Sequence, residues 1–397
     1  MDAAIATASP HVSSDSDRLE QAGLLTVMGF AAALQFSIFI AQTLLAVAIG
    51  CWLALVVVRR ERIAVPRFFW PLVAYAGLTL VSAALSSEPR VSLIDAKQLV
   101  LFLIVPLVYR FATGTRGDSL VTVIVSVGAA SAAIGILEYV MLGYDNLANR
   151  PRGTLGHYMT YSGLLMLVIG VALARILFGK RDRLWSMLVM PALTIAVAFS
   201  FGRSAAVGAC VAAAILLALK DFRLVVILPI LAVILLAAFP GAVAQRFESS
   251  FDPKDATRRE RIAMVRAGAR MIQDHPLVGV GPNMVPRRYT QYREADVIDP
   301  TTPHLHNVPM QIAAERGLPA LAAWCWFICL LITDLRRHFT AGAVRVLAAT
   351  AIGAVFAMLT SGMFEYNFGD SEFLMLFLLL ITLPFAALRD ETRFRSA

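Results

Sequence analysis

Charge is scarce in this chain. Of 397 residues only 16% are charged, while 58% are hydrophobic, and the mean hydropathy of +0.71 lies far outside the range of a soluble globular domain. No soluble domain of useful size can be cut from it. Cysteine is equally sparse: Cys51, Cys210, Cys325 and Cys329 fall inside apolar runs with no paired or metal-ligand spacing, so they are expected to pack rather than to bridge or ligate. There is no HExxH stretch and no Gly-Lys-Ser/Thr loop, which removes the usual signatures of zinc hydrolases and of nucleotide binding. The first 20 residues carry both signs (Asp15, Asp17, Arg18, Glu20) and do not read as a basic region followed by a short apolar core.

What fills the chain instead is hydrocarbon. Apolar runs, each of the order of the ~20 residues that cross a bilayer as a helix, recur at about 21–35, 37–58, 67–86, 93–111, 119–142, 157–178, 184–201, 203–219, 222–240, 306–334, 342–365 and 370–388. The expected fold is therefore an all-α polytopic membrane protein with about twelve transmembrane helices. It divides into an N-terminal tail (1–20), nine helices (21–240), one large loop (241–305), three helices (306–388) and a C-terminal tail (389–397). The stretch 21–58 has no strong break and reads either as two helices or as one bent helix with a re-entrant turn.

The net charge of +8 invites a nucleic-acid reading, but basic residues of a membrane protein first set its orientation. Arg59, Arg60, Arg62, Arg110, Arg116, Lys180, Arg181, Lys220, Arg223, Arg336 and Arg337 share one side if the count of twelve holds. That side is then the cytosol, with both termini on it, and no nucleic-acid partner is expected. The loop 241–305 breaks the rule by keeping many arginines on the outer side. Within it, 257–273 reads as an amphipathic helix with Ile262, Val265, Ala269 and Ile272 on one face and Arg259, Arg266 and Arg270 on another. His275-Pro276 ends that helix, and Gly279 to Asn283 forms turns.

Arginine binds phosphate oxygens bidentately and is less strongly hydrated than lysine, so the outer side is suited to a phosphate-bearing ligand. The bland alternative is pairing with lipid head groups or with acidic neighbours on the surface. Arg203 lies between two apolar segments with hardly any loop, a costly position unless it faces a polar cavity or snorkels to the interface. Arg150 and Arg152 line the same side. His304 and His306 precede an apolar helix; one is a candidate base with the other as neighbour, the alternative being a cap or interface role. Two histidines at i, i+2 are a poor metal site without further ligands, and no metal or cofactor is expected. Glu315 and Glu365-Tyr366 could orient the base or a sugar hydroxyl, or serve structural hydrogen bonds.

Three motifs in order then resemble one family. His306-Asn307, nine residues and Gly317 resemble the H[N/S/Q]-x9-GxxG motif of O-antigen ligases and related Wzy-type polymerases, with Ala320 in place of the last glycine. Arg261 to Val265 leading to Asp274-His275-Pro276-Leu277-Val278-Gly279-Val280-Gly281 is similar to the family's RxxxW…DHPLxGxG region, with Val265 where tryptophan is usual. Ser200-Phe201-Gly202-Arg203 is similar to its SxSRG segment. The resemblance implies a GT-C-like glycosyltransferase of the bacterial inner membrane, with a large periplasmic loop. It also implies transfer of a glycan from undecaprenyl pyrophosphate, without metal, to a lipid A-core acceptor. The site expected on that basis has His306 as base and Arg203 and Arg261 on the pyrophosphate, with Arg152, Arg288, His304 and Glu365 as further binding residues. A ligase is preferred to a polymerase on family analogy. A glycolipid transporter is the reading from a different class, disfavoured because the halves show no internal repeat and the polar residues gather at one membrane face.

Overall fold

The computed structural model describes residues 10–146, 148–230, 233, 256–294 and 302–389. Those residues form fourteen α-helices with short 3₁₀ stretches, and no strand occurs among them. In chain order the helices are α1 (Pro10–Ala33), α2 (Ile38–Val58), α3 (Phe69–Leu85), α4 (Pro89–Asp95), α5 (Ile104–Phe111), α6 (Arg116–Met141), α7 (Tyr158–Phe178), α8 (Arg183–Phe199), α9 (Arg203–Lys220), α10 (Ala256–Asp274), α11 (Val285–Tyr292), α12 (Val308–Ala341), α13 (Arg345–Ser361) and α14 (Ser371–Ala387). Six stretches are long and apolar enough to cross a membrane: 38–58, 89–111, 116–141, 158–178, 203–220 and 308–341; four shorter apolar helices accompany them. The chain is a polytopic membrane protein.

The stretch 21–58 resolves into two helices, because Ser37 accepts a hydrogen bond from Ile40 N and starts a new helix after the turn at 34–37. The polar residues before Leu24 are not separate from the first helix, since α1 already begins at Pro10. The run 93–111 is one span in which a 3₁₀ segment, 96–103, joins α4 to α5. The second half of the expected span 222–240 lies, but for residue 233, outside the described residues.

α7 and α14 are apolar around their whole circumference, and their residues are buried along nearly their full length. Helices of that kind belong at the centre of a bundle. α13 packs on α7, α9 and α14, and α12 packs on α3.

The feature that most shapes the end of the bundle where α12 begins is a break inside that helix. Gly317 adopts φ +82, ψ 168, a conformation open to glycine and strained for other residues. Pro319, two residues on, has no N–H to give to the carbonyl of residue 315 and clashes with it. Two helical carbonyls are thereby released, and an unmet buried carbonyl is costly. The turn after α10 satisfies them: Val280 N donates to Ala314 O and Gly281 N to Glu315 O, both at 2.9 Å, while Leu318 N donates to Pro276 O at 2.8 Å. Ser82 Oγ adds a bond to Glu315 O at 2.9 Å. The contact admits no side chain, because a Cβ on Gly279 would lie 2.3 Å from the Glu315 carbonyl carbon and one on Gly317 would lie 2.2 Å from Leu277 O. The motif that ends at Gly279 and Gly281 and the motif that ends at Gly317 are thus two halves of one backbone joint.

α10 has the expected extent but a different inward face. Ala263, Met264, Ala267 and Met271 are buried, whereas Ile262 and Val265 are exposed at 44% and 41%. Close approach to α12 decides this: Gly268 sits where a Cβ would meet Leu305 and Met310 at 2.8 Å, so small and flexible residues face the bundle and the larger apolar ones turn outward. Arg266 and Arg270, on the far face, pair with Glu294 at 3.0 and 3.1 Å.

Candidate active site

Two loops meet at the end of the bundle where α12 begins, 302–307 before α12 and 362–370 between α13 and α14. Asn307 is the N-cap of α12: its Oδ1 accepts from Met310 N at 2.9 Å, as capping asparagines do. Its amide nitrogen donates to Met363 O at 3.2 Å, and Val308 N donates to Gly362 O at 2.7 Å. One residue therefore starts the helix and fastens the neighbouring loop to it. On the other side Leu305 N donates to Gln311 Oε1 and Thr302 Oγ1 to His304 O, both at 2.7 Å. Held between these ties, His306 has φ +50. Such a conformation costs a non-glycine residue on the order of 1 kcal/mol or more and persists where the surroundings over-determine it, typically at functional sites.

Glu365 stands between the two imidazoles. Its Oε2 is 3.1 Å from His306 Nδ1 and its Oε1 is 3.4 Å from His304 Nε2, and the two imidazole centroids are 4.2 Å apart. Burial pushes the His304 pKa down to about 4, with repulsion from His306 adding to it and the Glu365 charge opposing it. For Glu365 burial acts to raise the pKa, but the hydrogen bond from His306 and the charges of both imidazoles hold it below the usual carboxylate value. An ionised Glu365 accepts only, so it fixes the His306 proton on Nδ1 and leaves Nε2 as the acceptor. This is the wiring of a general base with an orienting carboxylate.

Arg203 reaches the site through a tight turn. Ser200 Oγ donates to Val197 O at 2.6 Å and accepts from Gly202 N at 3.2 Å, and Phe201 takes φ +54. The chain reverses there and α9 begins at Arg203 itself. The first-turn N–H groups of α9 have no partners within the helix, and its dipole end is positive.

The turn opens into a cavity of about 240 Å³ whose lining includes Arg150, Gly202, Arg203, Ser204, Arg261, His306 and Glu365. The Arg150 guanidinium lies 4.1 Å over the Tyr158 ring, and that of Arg261 lies 5.9 Å from the Phe364 ring. Beside it is a second cavity of about 230 Å³, lined by His157, Thr160, His304, Glu365, Asn367 and Asp370 among others. The two share Met159, Ser204 and Glu365.

Of the residues expected from sequence, His306, Arg203, Arg261 and Glu365 come together around the first cavity, and His304 joins through Glu365 and the second. Arg152 and Arg288 line neither cavity. The backbone N–H groups of Arg152 and Gly153 are both captured by Glu138 Oε2, at 2.8 and 2.7 Å, and it is Arg150 that turns inward. Arg288 donates to Gln291 Oε1 at 3.0 Å within α11. Glu315 is also elsewhere, buried against Arg316 at 2.8 Å and accepting from Val285 N at 3.5 Å. Three lining residues, His157, Thr160 and Asp370, were not anticipated. Two of them are N-caps, His157 of α7 and Asp370 of α14. Their signal in the sequence was a polar residue at the head of an apolar run, which by itself marks only a helix start.

His304, His306 and Glu365 also offer one ligand atom each within 4.8 Å of one another, the ligand count of a catalytic zinc site. The same three groups meet the needs of a base, its orienting carboxylate and a neutral neighbour.

No curated protein sequence matches the chain. Residues 188–325 match the family model described as O-Antigen ligase, a range that runs from α8 through the Arg203 turn and α10 to the part of α12 beyond its break.

Proposed function

We propose that the protein is an O-antigen ligase, moving a glycan from undecaprenyl pyrophosphate to a hydroxyl of a lipid A-core acceptor at the periplasmic face of the bacterial inner membrane. The observation that carries this reading is the placement of Arg203, Arg261 and Arg150 around the same cavity as the His306–Glu365 pair. Three guanidiniums and the N-terminus of α9 suit the two phosphates of a lipid-linked donor.

The step is a direct displacement at the anomeric carbon. The acceptor oxygen bonds to C1 as the bond from C1 to the pyrophosphate oxygen breaks, and the leaving group departs with that electron pair. Its developing charge meets the fixed guanidiniums, which are worth most in a site shielded from water. The hydroxyl proton passes to His306 Nε2, and the imidazolium so formed is balanced by Glu365 at 3.1 Å. Displacement from the opposite side inverts the anomeric centre.

The fold supports the sidedness this requires. Arg59, Arg110 and Arg116 converge with Glu20 at one end of the bundle, whereas the site lies at the end where α7, α9, α12 and α14 begin. Assigning the arginine-rich end to the cytosol puts the site in the periplasm, both termini in the cytosol and the chain in a GT-C-like arrangement of about twelve spans.

The test is reconstitution of the full chain in nanodiscs with undecaprenyl-pyrophosphate-linked glycan and rough lipopolysaccharide. Capped lipopolysaccharide is expected, and His306→Ala should lower its formation by roughly 10²- to 10⁴-fold, the usual worth of a general base. Longer lipid-linked chains in place of capped product would make the protein a polymerase, and unaltered transfer by a folded His306→Ala protein would remove His306 from the mechanism.

A further inference from the structure

The cavity on the far side of Glu365 differs in chemistry from the arginine pocket. Among the described residues no arginine or lysine lines it; its polar groups are imidazoles, the hydroxyls of Thr160, Ser204, Ser361 and Tyr366, an amide and the carboxylates of Glu365 and Asp370. A phosphate there would face two carboxylates, so the second cavity is unsuited to the donor's pyrophosphate. Hydroxyl groups, by contrast, donate to carboxylates and exchange bonds with imidazole and amide groups.

Asp370 is held for such a role. Its Oδ1 accepts from Phe373 N at 2.9 Å, which caps α14, and its Oδ2 accepts from Thr160 Oγ1 at 2.5 Å, which ties it to α7. Two carboxylate oxygens have about four acceptor positions between them, so these bonds fix the group and leave capacity for a ligand's hydroxyls. His157 is fixed in a similar way: its Nδ1 accepts from Met159 N at 3.2 Å, and that cap does not use Nε2. The wall also holds unmet hydrogen-bonding capacity, because His304 Nδ1 and Asn367 Oδ1 are buried without a partner.

Resting on the function proposed above, the geometry points to this cavity as the acceptor subsite: a neutral sugar ring of the acceptor sits between α7 and α14, its hydroxyls read by Asp370, Thr160 and His157. The donor's C1 is bonded to pyrophosphate and therefore lies at the arginine pocket. An inverting displacement needs its nucleophile from the side away from the leaving group, and the two cavities meet at Met159, Ser204 and Glu365. A hydroxyl projecting from the second cavity into that junction arrives beside the carboxylate that orients His306.

The variants are Asp370→Asn and Thr160→Val, each in the full chain. Asparagine is as good an N-cap as aspartate and valine preserves the shape of threonine, so both are expected to fold. Two measurements are made: binding of core oligosaccharide, released from rough lipopolysaccharide, by titration calorimetry without donor; and the KM for acceptor and for donor in the transfer assay. Each variant should weaken oligosaccharide binding and raise the acceptor KM by roughly tenfold, as expected for a hydrogen bond to a charged group or its supporting partner, with the donor KM unchanged. Unchanged binding in both variants, no binding to the wild-type protein, or a rise in donor KM instead would overturn the assignment. Binding is read without turnover, so a failure of the transfer reaction itself is seen separately from a failure of the subsite.

Discussion

Arginines gather at both ends of this bundle and are used differently. Where α2 and α5 finish, Arg110 donates to both oxygens of Glu61 at 2.7 and 2.9 Å. Glu20 meets Arg59, Arg110 and Arg116 at 2.5, 3.4 and 3.4 Å, and Asp17 adds a bond to Arg59 at 2.8 Å. Charges there close on one another and bring the polar start of α1 down onto three other helices, α2, α5 and α6. At the opposite end Arg150, Arg203 and Arg261 border a cavity of about 240 Å³ whose lining includes two acidic residues, Glu260 and Glu365, and Glu365 is engaged with the histidines. Where carboxylates sit among the arginines, the charge holds the fold together. Where arginines border open space, we propose that the same residue type serves a ligand.

Paired substitutions test that contrast most sharply. Arg203→Ala should cut transfer by roughly 10²- to 10³-fold, the usual loss when one fixed donor to a developing negative charge is removed, with thermal stability in detergent close to wild type. Arg110→Ala should do the reverse. Arg110 and Glu61 have side chains only 8% and 4% exposed, so the deletion strands a buried carboxylate at a cost of about 3–5 kcal/mol. Transfer per folded molecule should stay within about threefold of wild type, because distant sites act independently. If Arg203→Ala lost stability and kept its rate, the two ends would be alike and the pocket would be structural.

Glu365→Gln divides the site end further. The amide keeps the shape of the carboxylate but not its charge, and its NH₂ can present a donor to Nδ1, favouring the wrong tautomer. A fall in kcat of about 10²-fold, with little change in donor KM, is expected for a group that acts through His306. A donor KM that rose while kcat held would assign Glu365 to substrate binding instead. Glu365→Asp, which keeps the charge at a shorter reach, should recover part of the rate.

What could be read from the sequence follows the same division. Arg203 was visible because it sits at a costly position between two apolar segments, His306 because an imidazole precedes an apolar helix, and Arg261 only through the family resemblance; the structure brings all three round one cavity. Arg152 was the expected binding residue, yet Arg150, two residues away in the same turn, lines the cavity, because Glu138 captures the amides at 152 and 153 from another part of the chain. His157 and Asp370 were hidden by their own capping bonds, since a polar residue ahead of an apolar run is what any helix start shows. The inward face of α10 was misplaced for a related reason. Amphipathicity weighs the largest apolar residues most heavily, but contact with α12 selects for closeness, and Ala263, Ala267 and Gly268 win over Ile262 and Val265. Hydropathy located the six long apolar spans and the four shorter apolar helices found among the described residues. The break at Gly317 and its joint to the turn at 276–281 were hidden from it, because that joint is made by backbone groups far apart in sequence.

The smallest expected effect concerns pH and again separates the two ends. The His304 pKa is depressed from 6.5 to about 4 by burial, repulsion from His306 contributing. Above 6.5 the imidazole is neutral whether the chain is folded or unfolded, and stability does not change on its account. Between 6.5 and about 4 the unfolded chain binds a proton that the folded one refuses, so stability falls as pH falls. The whole effect is up to roughly 3 kcal/mol at about 1.4 kcal/mol for each pH unit. The lowered Glu365 pKa places its protonation beneath the ordinary carboxylate value of 4.5, so mild acid acts first on His304. Thermal unfolding in detergent between pH 7.5 and 5 should therefore show a declining midpoint in the wild-type protein, and a flatter one in His304→Gln, which cannot take up the proton. An equal decline in both would place the titrating group elsewhere and leave the opposite end of the bundle, with its carboxylate network, as the region that acid loosens.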